Sequence, residues 1–180
     1  MLANRSELIA VLEEDPDRIG RVFARHAYGM RRWVDLFSAR IAGADDPTAK
    51  QLLAEVVADN ARHMNLFRAR ALAHGSDADA YVAPPEGEAI YERIEAMDDL
   101  GELVGYAAGS LDHFAQLLEA YAVTADGEDA AVIAEVRADN DAARARLRPW
   151  AAAAEDRAAE AHELYRRREL VEAGSYADVD

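Results

Sequence analysis

The chain has 180 residues and a formal net charge of −15, and it contains no cysteine. Without cysteine, disulfide bonds, thiolate metal sites and cysteine nucleophiles are all excluded. The acidic balance argues against sequence-independent binding to nucleic acid and against docking on an anionic membrane surface, because both depend on Lys and Arg.

The composition also predicts the class of protein. Ala, Leu, Glu and Arg dominate, which favours helices, and a chain of this length suits one domain over residues 1–180. The first residues do not show the basic and then apolar regions of a signal peptide, and no apolar run is as long as a membrane span. We therefore expect a soluble cytoplasmic protein that binds neither nucleic acid nor membrane.

The N-terminal part of the chain predicts a short helix and then a long one. Apolar residues at helical spacing, with Ser6 as the N-cap, predict a helix over residues 6–14. Asp15 followed by Pro16 is typical of a new helix start, with Asp as the cap and Pro at the first helical position. Apolar residues at helical spacing continue from there to about residue 42.

A second long helix follows after a short turn. Asp46 and Pro47 repeat the start signal and Gly75 ends the apolar pattern, which predicts a helix over about residues 47–74. Because the turn is short, the two long helices should be antiparallel neighbours. Residues 15–74 are therefore the first predicted hairpin.

Residues 75–98 predict a long crossover that contains a short helix, roughly over residues 88–96. Asp99 and Glu102 then have the spacing of a capping box, with Asp in the place of Ser or Thr. A third long helix should run from there to about residue 123.

A fourth helix, over about residues 128–148, completes a second hairpin that spans residues 99–148. Pro149 has no backbone N–H and its ring clashes with the preceding turn, so we expect a kink or break there. An Ala-rich C-terminal helix should follow from Trp150 to about residue 172, within a segment 149–173, and should end near Gly174.

The two predicted hairpins are related by an internal repeat. The stretch Ala54–Asn60 returns eighty residues later as Ala134–Asn140, with six of seven positions identical. The same offset aligns Arg68 with Arg148. The sequence therefore predicts an all-α protein made of two repeated helical hairpins joined by a long crossover, with a short N-terminal helix and an extra C-terminal helix.

Four residues of the repeat are candidates for a ligand-binding interior. Asn60 and Asn140 fall in mid-helix on the apolar face, where an amide must find partners or cost a few kcal/mol. Folding each hairpin about its turn places Gly29 near Asn60 and Gly109 near Asn140. Glycine in mid-helix costs about 1 kcal/mol relative to alanine, which indicates a steric need. Small residues at these levels favour an interior cavity for a small apolar ligand.

This arrangement of duplicated hairpins, crossover and central polar residues resembles the ferritin-like superfamily of four-helix bundles. The resemblance covers roughly residues 16–148. It implies a di-iron site whose ligands are one Glu from each first hairpin helix and Glu-x-x-His from each second helix. In the register of the family, His63 keeps the histidine while Asn60 replaces the glutamate. Asn140 starts a segment with neither ligand, and Gly29 and Gly109 take the places of the first-helix carboxylates.

A shifted register offers another set of metal ligands. Glu55, Asp59 and His63 have i, i+4, i+8 spacing on one helix face, and Glu135 and Asp139 repeat two of them. His26, Asp112 and His113 lie on the helices opposite. Oxygen and imidazole ligands of this kind suit iron, manganese or zinc. The complete candidate set for iron or another divalent metal is Glu55, Asp59, His63, His113, Glu135 and Asp139.

These patterns leave the function open between several classes. The carboxylates also fit a solvated edge of an acidic chain, the histidines fit ordinary core positions, and the asparagines fit buried amides that fix helix register. One hypothesis is a ferritin-like bundle without a complete di-iron site, acting as a small-ligand-binding or assembly module. The second is a metal-dependent oxidoreductase with atypical ligands. The third is a structural dimer built through the C-terminal helix, and for each a homodimer or higher homo-oligomer is expected.

Overall fold

The computed structural model describes residues 5–15, 18–151 and 155–177. Within these ranges the chain is helical and contains no strand, which confirms the all-α prediction. None of the helices in the described part of the chain is both long and apolar enough to cross a membrane. The helices are α1 (Arg5–Glu14), α2 (Arg18–Ile41), α3 (Pro47–Ala73), α4 (Pro85–Glu95), α5 (Leu100–Thr124), α6 (Gly127–Ala151) and α7 (Glu155–Ala177).

The helices divide into two compact units. The hairpin unit, Ile19–Val82, contains nearly all of α2, the whole of α3 and the loop after α3. The larger unit, Met1–Arg18 with Ala83–Asp180, contains α1, α4, α5, α6 and α7. The prediction of a single four-helix bundle domain over residues 1–180 stays a prediction.

The ends of α3 are set by local chemistry, as the sequence predicts. The Asp46 carboxylate accepts a hydrogen bond from the Thr48 backbone N–H at 2.9 Å, and Pro47 takes the first helical position. At the other end Gly75 has a φ of +74°, a conformation that glycine adopts without a steric penalty. The backbone N–H of Ser76 then bonds to the carbonyl of Ala71 at 2.8 Å, which closes the helix end.

Aromatic contacts and one glycine hold α2 against α3. The rings of Phe23 and Phe67 lie 5.5 Å apart between centroids, and both side chains are fully buried. Near the end of the hairpin, a Cβ on Gly20 would lie 2.7 Å from the Cβ of His74. Since low numbers on α2 meet high numbers on α3, the helices are antiparallel, as predicted.

Helix α5 is the centre of the larger unit. It packs against α1, α6 and α7, and α4 packs against α7. Five consecutive residues of α5, 103–107, are buried, and five consecutive positions cover every face of a helix. A helix that is enclosed on all sides in this way belongs to a core.

Hydrogen bonds give the directions of the neighbours of α5. Arg144 on α6 donates to Asp112 at 2.5 Å, and Arg137 donates to Glu119 at 3.4 Å, so α6 runs antiparallel to α5. On α7 the order is reversed. A Cβ on Gly109 would touch Ala158, and four residues later the ring of His113 lies 6.3 Å from that of His162. Helices α5 and α7 therefore run in the same direction.

The start of α5 differs in one detail from the predicted capping box. The Asp99 carboxylate accepts from the Glu102 backbone N–H at 2.9 Å, as the sequence predicts. The Glu102 carboxylate accepts a hydrogen bond from Arg157 on α7 at 2.9 Å. Arg157 also donates to Glu160, which accepts from Arg93 on α4. Glu102 thus belongs to a charge network that links α4, α5 and α7.

Two predicted helix starts require correction. Ser6 lies inside α1 and does not cap it, because the helix already includes Arg5. Helix α4 begins at Pro85, three residues before the predicted start, with Pro84 at the N-cap position. A proline at the first helical position is favourable since its missing N–H has no helical partner there. The predicted role of Pro16 lies outside the described residues.

The C-terminal helices also end later than predicted. Helix α6 does not break at Pro149 but continues to Ala151, with the proline in its last turn. Pro149 cannot donate to the carbonyl of Ala145 and its ring crowds that group, which costs one hydrogen bond of the helix without ending it. Trp150 belongs to α6, and α7 starts at Glu155 and passes Gly174 to end at Ala177.

Candidate functional site

The two asparagines of the repeat have different surroundings. Asn140 on α6 is 3% exposed, and its amide nitrogen donates to the backbone carbonyl of Leu111 on α5 at 3.1 Å. Its Oδ1 atom is buried and has no hydrogen-bond partner among the described residues. Asn60 on α3 is half-buried and donates to the carbonyl of Val56 in its own helix at 2.9 Å. Only Asn140 therefore ties two helices together.

Gly109 lies where two helices approach each other closely, in keeping with the predicted steric need for a glycine. A Cβ on this residue would lie 2.4 Å from the carbonyl oxygen of Ala158 and 2.7 Å from its Cα. Real Cβ atoms do not approach a backbone so closely, so α7 could not pack here against any other residue type. The predicted closeness of Gly109 to Asn140 stays a prediction. The counterpart of Gly109, Gly29, is half-buried on α2.

The candidate metal ligands on α3 make local contacts. Gln51 donates to the Glu55 carboxylate at 2.9 Å, and Arg62 donates to that of Asp59 at 3.3 Å. His63 is 5% exposed. All three candidates, Glu55, Asp59 and His63, belong to the hairpin unit.

The other three candidates belong to the larger unit. Glu135 is exposed and Asp139 is half-buried on α6, whereas His113 is 3% exposed on α5 and stacks on Tyr165 with ring centroids 5.3 Å apart. Within the described ranges, no three His, Asp or Glu side chains are grouped so that they could hold a metal ion. The ligand roles of these residues stay predictions.

The remaining candidates of the shifted register also have neighbours of their own. The Asp112 carboxylate accepts the hydrogen bond from Arg144. His26 is buried, with its Nε2 atom 3.3 Å from the Arg25 guanidinium and its ring 5.5 Å from that of Phe67. These contacts account for both residues as parts of their packing interfaces.

The hairpin unit contains a cleft that the sequence did not predict. Its volume is about 290 Å³. Alanines at two of its walls and the side chain of Met64 supply apolar surface, while an amide, a phenol and three charged groups supply polar atoms. The cleft is lined by Ala27, Tyr28, Arg31, Met64, Asn65, Arg68, Ala78 and Asp79.

Three segments of the hairpin unit form this cleft. Helix α2 contributes residues 27–31, α3 contributes residues 64–68, and the loop after α3 contributes Ala78 and Asp79. The loop is fixed by its own contacts. The Asp77 carboxylate accepts from the Asp79 backbone N–H at 2.9 Å, and the Tyr81 ring lies 5.4 Å from that of Tyr28.

The charged groups of the cleft are concentrated at Arg68. Its guanidinium donates to both carboxylate oxygens of Asp79, with Nε 3.2 Å from Oδ1 and 3.0 Å from Oδ2. The hydrogen bond from Arg68 holds the pKa of Asp79 below its usual value, and the charge of Arg31 lowers that pKa further. The guanidinium of Arg31 lies 5.2 Å from the centre of the Tyr28 ring. The charges of Arg68 and Arg31 thus both act on the carboxylate of Asp79.

The core of the larger unit encloses another polar side chain besides Asn140, that of Tyr106. Tyr106 on α5 is fully buried, and its hydroxyl has no hydrogen-bond partner among the described residues. Burial raises the pKa of Tyr106 far above its usual value, and Tyr165 raises it further. Arg168 is 5% exposed and lies 4.8 Å from the centre of the Tyr165 ring. Here polar groups are enclosed in packed helices.

Sequence reasoning missed the cleft for a physical reason. The cleft residues on each helix have the spacing of any solvated helix face, as shown by Tyr28 and Arg31 on α2 and by Met64 and Arg68 on α3. The loop that completes the cleft is recognisable only as a loop, from its Gly, Asp and Pro residues.

Comparison of the chain with protein-family models, with curated proteins and with solved structures found no match.

Proposed function

We propose that the chain is a ferritin-like helical protein without a complete di-iron site, and that it acts as a small-ligand-binding module. The cleft lined by α2, α3 and the following loop is the proposed ligand site. Its composition carries the proposal: apolar surface from Ala27, Met64 and Ala78 adjoins a few polar groups in one concave site. Such a combination is typical of small-ligand pockets, and a volume of about 290 Å³ suits a small ligand.

The ferritin-like part of the proposal is supported by the two hairpins. Helix α3 begins at Pro47 and α6 begins at Gly127, eighty residues later, which is the offset of the sequence repeat. The segment between the hairpins is long and includes α4, in keeping with a crossover. The cysteine-free and acidic composition supports a place in the cytoplasm.

The competing function is a metal-dependent oxidoreductase that uses the atypical ligands. In the family register an Asn amide at position 60 replaces a carboxylate, and a neutral amide offsets less metal charge. Metal analysis separates the two functions. The binding-module proposal predicts less than one tightly held iron per chain and no oxygen-dependent turnover after loading with Fe²⁺. Two irons per chain would favour the oxidoreductase.

Ligand binding is tested with the neutral fluorescent dye N-phenyl-1-naphthylamine. The proposal predicts saturable fluorescence enhancement with about one site per chain, since such sites are few in a protein. Ala78→Leu adds a branched side chain at the cleft wall, where Ala78 is 7% exposed, and should abolish the enhancement. Ala69→Leu adds the same group at an exposed position of α3 and serves as the control. Equal dye binding by both variants, with circular dichroism unchanged, would contradict the proposal.

A further inference from the structure

The electrostatics of the cleft distinguish it from the rest of the chain. Arg31 and Arg68 contribute two positive charges and Asp79 one negative charge, so the lining carries a net charge of +1. The whole chain carries −15. A small positive region in an acidic protein selects for ligands with an opposite charge.

The geometry at Arg68 shows which anion fits. Its planar guanidinium already binds a carboxylate, that of Asp79, through its Nε–H and one terminal N–H group. This two-pronged contact is the geometry in which arginine recognises carboxylates. Both partners are more than half exposed, at 55% and 56%. A pair in that setting is worth little, so another carboxylate can replace Asp79.

Arg31 provides a second cation for the same place. Among the described residues no carboxylate forms an ion pair with it, and it lies against the ring of Tyr28. Its charge nevertheless acts on Asp79, together with Arg68. A carboxylate at the position of the Asp79 side chain would therefore bind Arg68 and also feel the charge of Arg31.

The apolar part of the lining indicates what the rest of the ligand looks like. Ala27 and Ala78 are buried, at 4% and 7% exposed, and Met64 and the Tyr28 ring lie beside them. Flat or slim apolar groups fit between such side chains, and a methionine adapts its shape to them. The site thus has one apolar side and one cationic end.

From these observations we propose that the ligand of the cleft is a small amphipathic carboxylate, such as an aryl or short-chain organic acid, and that Asp79 occupies the carboxylate position when the ligand is absent. This inference rests on the proposed function, because it names the ligand class of the same cleft. Binding exchanges the Asp79–Arg68 contact for a contact between Arg68 and the ligand. Asp79 is therefore an internal competitor that sets the affinity.

A matched pair of probes tests the charge. 1-Naphthoate and 1-naphthamide have the same rings and almost the same shape, but only the first carries a charge at pH 7. Each is used to displace N-phenyl-1-naphthylamine from the parent protein. We expect 1-naphthoate to bind about five- to tenfold more tightly than 1-naphthamide, and this preference should decrease with added salt.

Variants of Arg68 and of Asp79 should change the affinity for 1-naphthoate in opposite directions. Arg68→Gln should weaken 1-naphthoate binding about three- to tenfold, whereas Asp79→Asn should tighten it about two- to fivefold by releasing Arg68. Neither should change the affinity for 1-naphthamide by a comparable factor. Two exposed charges of the larger unit supply the controls, because Arg167→Gln and Asp141→Asn make the same charge changes outside the cleft.

The outcomes separate this inference from the proposed function. Equal displacement by 1-naphthoate and 1-naphthamide would overturn the carboxylate class while leaving the cleft as a ligand site. The same would follow if Asp79→Asn and Asp141→Asn changed the affinity for 1-naphthoate equally. Absence of binding for the dye and for both naphthalene probes would overturn the proposed function itself.

Discussion

The hairpins α2–α3 and α5–α6 share a sequence pattern but differ in what surrounds their central residues. Helices α3 and α6 start eighty residues apart, and in both hairpins the two helices are antiparallel. In the second hairpin the repeated asparagine is buried and binds across to α5, whereas in the first it is half-buried and binds its own helix. Similar local sequence therefore produces similar helices but not similar interiors.

The difference is clearest at the glycines. Gly109 allows the backbone of α7 to approach α5 at Ala158. In the hairpin unit a close approach is found at Gly20, beside His74, whereas the corresponding residue of the second hairpin is Leu100. A glycine required in one hairpin is thus not required at the corresponding position of the other.

The largest expected effect is at the contact of α5 with α7. Gly109→Ala would place a methyl group 2.4 Å from a backbone oxygen, and a backbone cannot move aside as a flexible side chain can. We expect a loss of about 3 kcal/mol or more in the free energy of unfolding, measured by urea denaturation. Gly43→Ala is the control, because its Cβ would meet only the Arg40 carbonyl at 3.9 Å. Similar midpoints for the two variants would show that α7 does not pack against Gly109.

The second expected effect separates the two asparagines. Asn140→Ala removes the hydrogen bond to Leu111 and leaves space in a buried site, so it should cost about 1–3 kcal/mol. Asn60→Ala removes a bond within one helix at a half-buried position and introduces a better helix former, so its effect should stay within about 0.5 kcal/mol. Equal losses in chemical denaturation would contradict the difference between the hairpins.

A smaller effect at neutral pH than that of Asn140→Ala is expected at Tyr106, which stands where the first hairpin has His26. Its hydroxyl is buried and has no partner among the described residues. Tyr106→Phe removes this unsatisfied group and should therefore leave stability at pH 7 unchanged or raise it by about 1 kcal/mol. Loss of stability instead would indicate a hydrogen bond to the Tyr106 hydroxyl.

The same variant has a pH dependence whose sign is fixed. Burial raises the pKa of Tyr106 above the usual value of about 10, so the folded chain keeps this proton at a pH where the unfolded chain releases it. The contribution of protonated Tyr106 to the free energy of unfolding is therefore complete below about pH 10 and is lost as the pH rises further. Between pH 10 and 11 the parent should lose about 1 kcal/mol more stability than Tyr106→Phe. Parallel stability curves over that range would contradict the raised pKa.

The sequence predicted the helices because their ends depend on adjacent residues. Asp46, Asp99 and Gly75 act within a few residues of themselves, and each acts as expected. Pro149 was expected to kink or break α6, and the break was wrong, because a proline removes one hydrogen bond of a helix without having to end it.

The candidate site was predictable only in part, because it depends on contacts between distant segments. The burial of Asn140 followed from the apolar stripe of its helix, but its partner on α5 did not. The contact of Gly109 with Ala158 joins residues about fifty positions apart. In the same way Arg68 and Asp79 meet only because the loop after α3 folds back along the hairpin.

The central claim, that the cleft of the hairpin unit binds a small ligand, is tested most directly by locating a bound probe. Amide chemical shifts of the isotope-labelled full chain are recorded by NMR while 1-naphthoate, and separately 1-naphthamide, is added. The account predicts shifts concentrated at residues 27–31, 64–68 and 77–81 for at least one probe, because these segments line or adjoin the cleft. Shifts concentrated around Tyr106 and Asn140, or no saturable shifts with either probe, would contradict it.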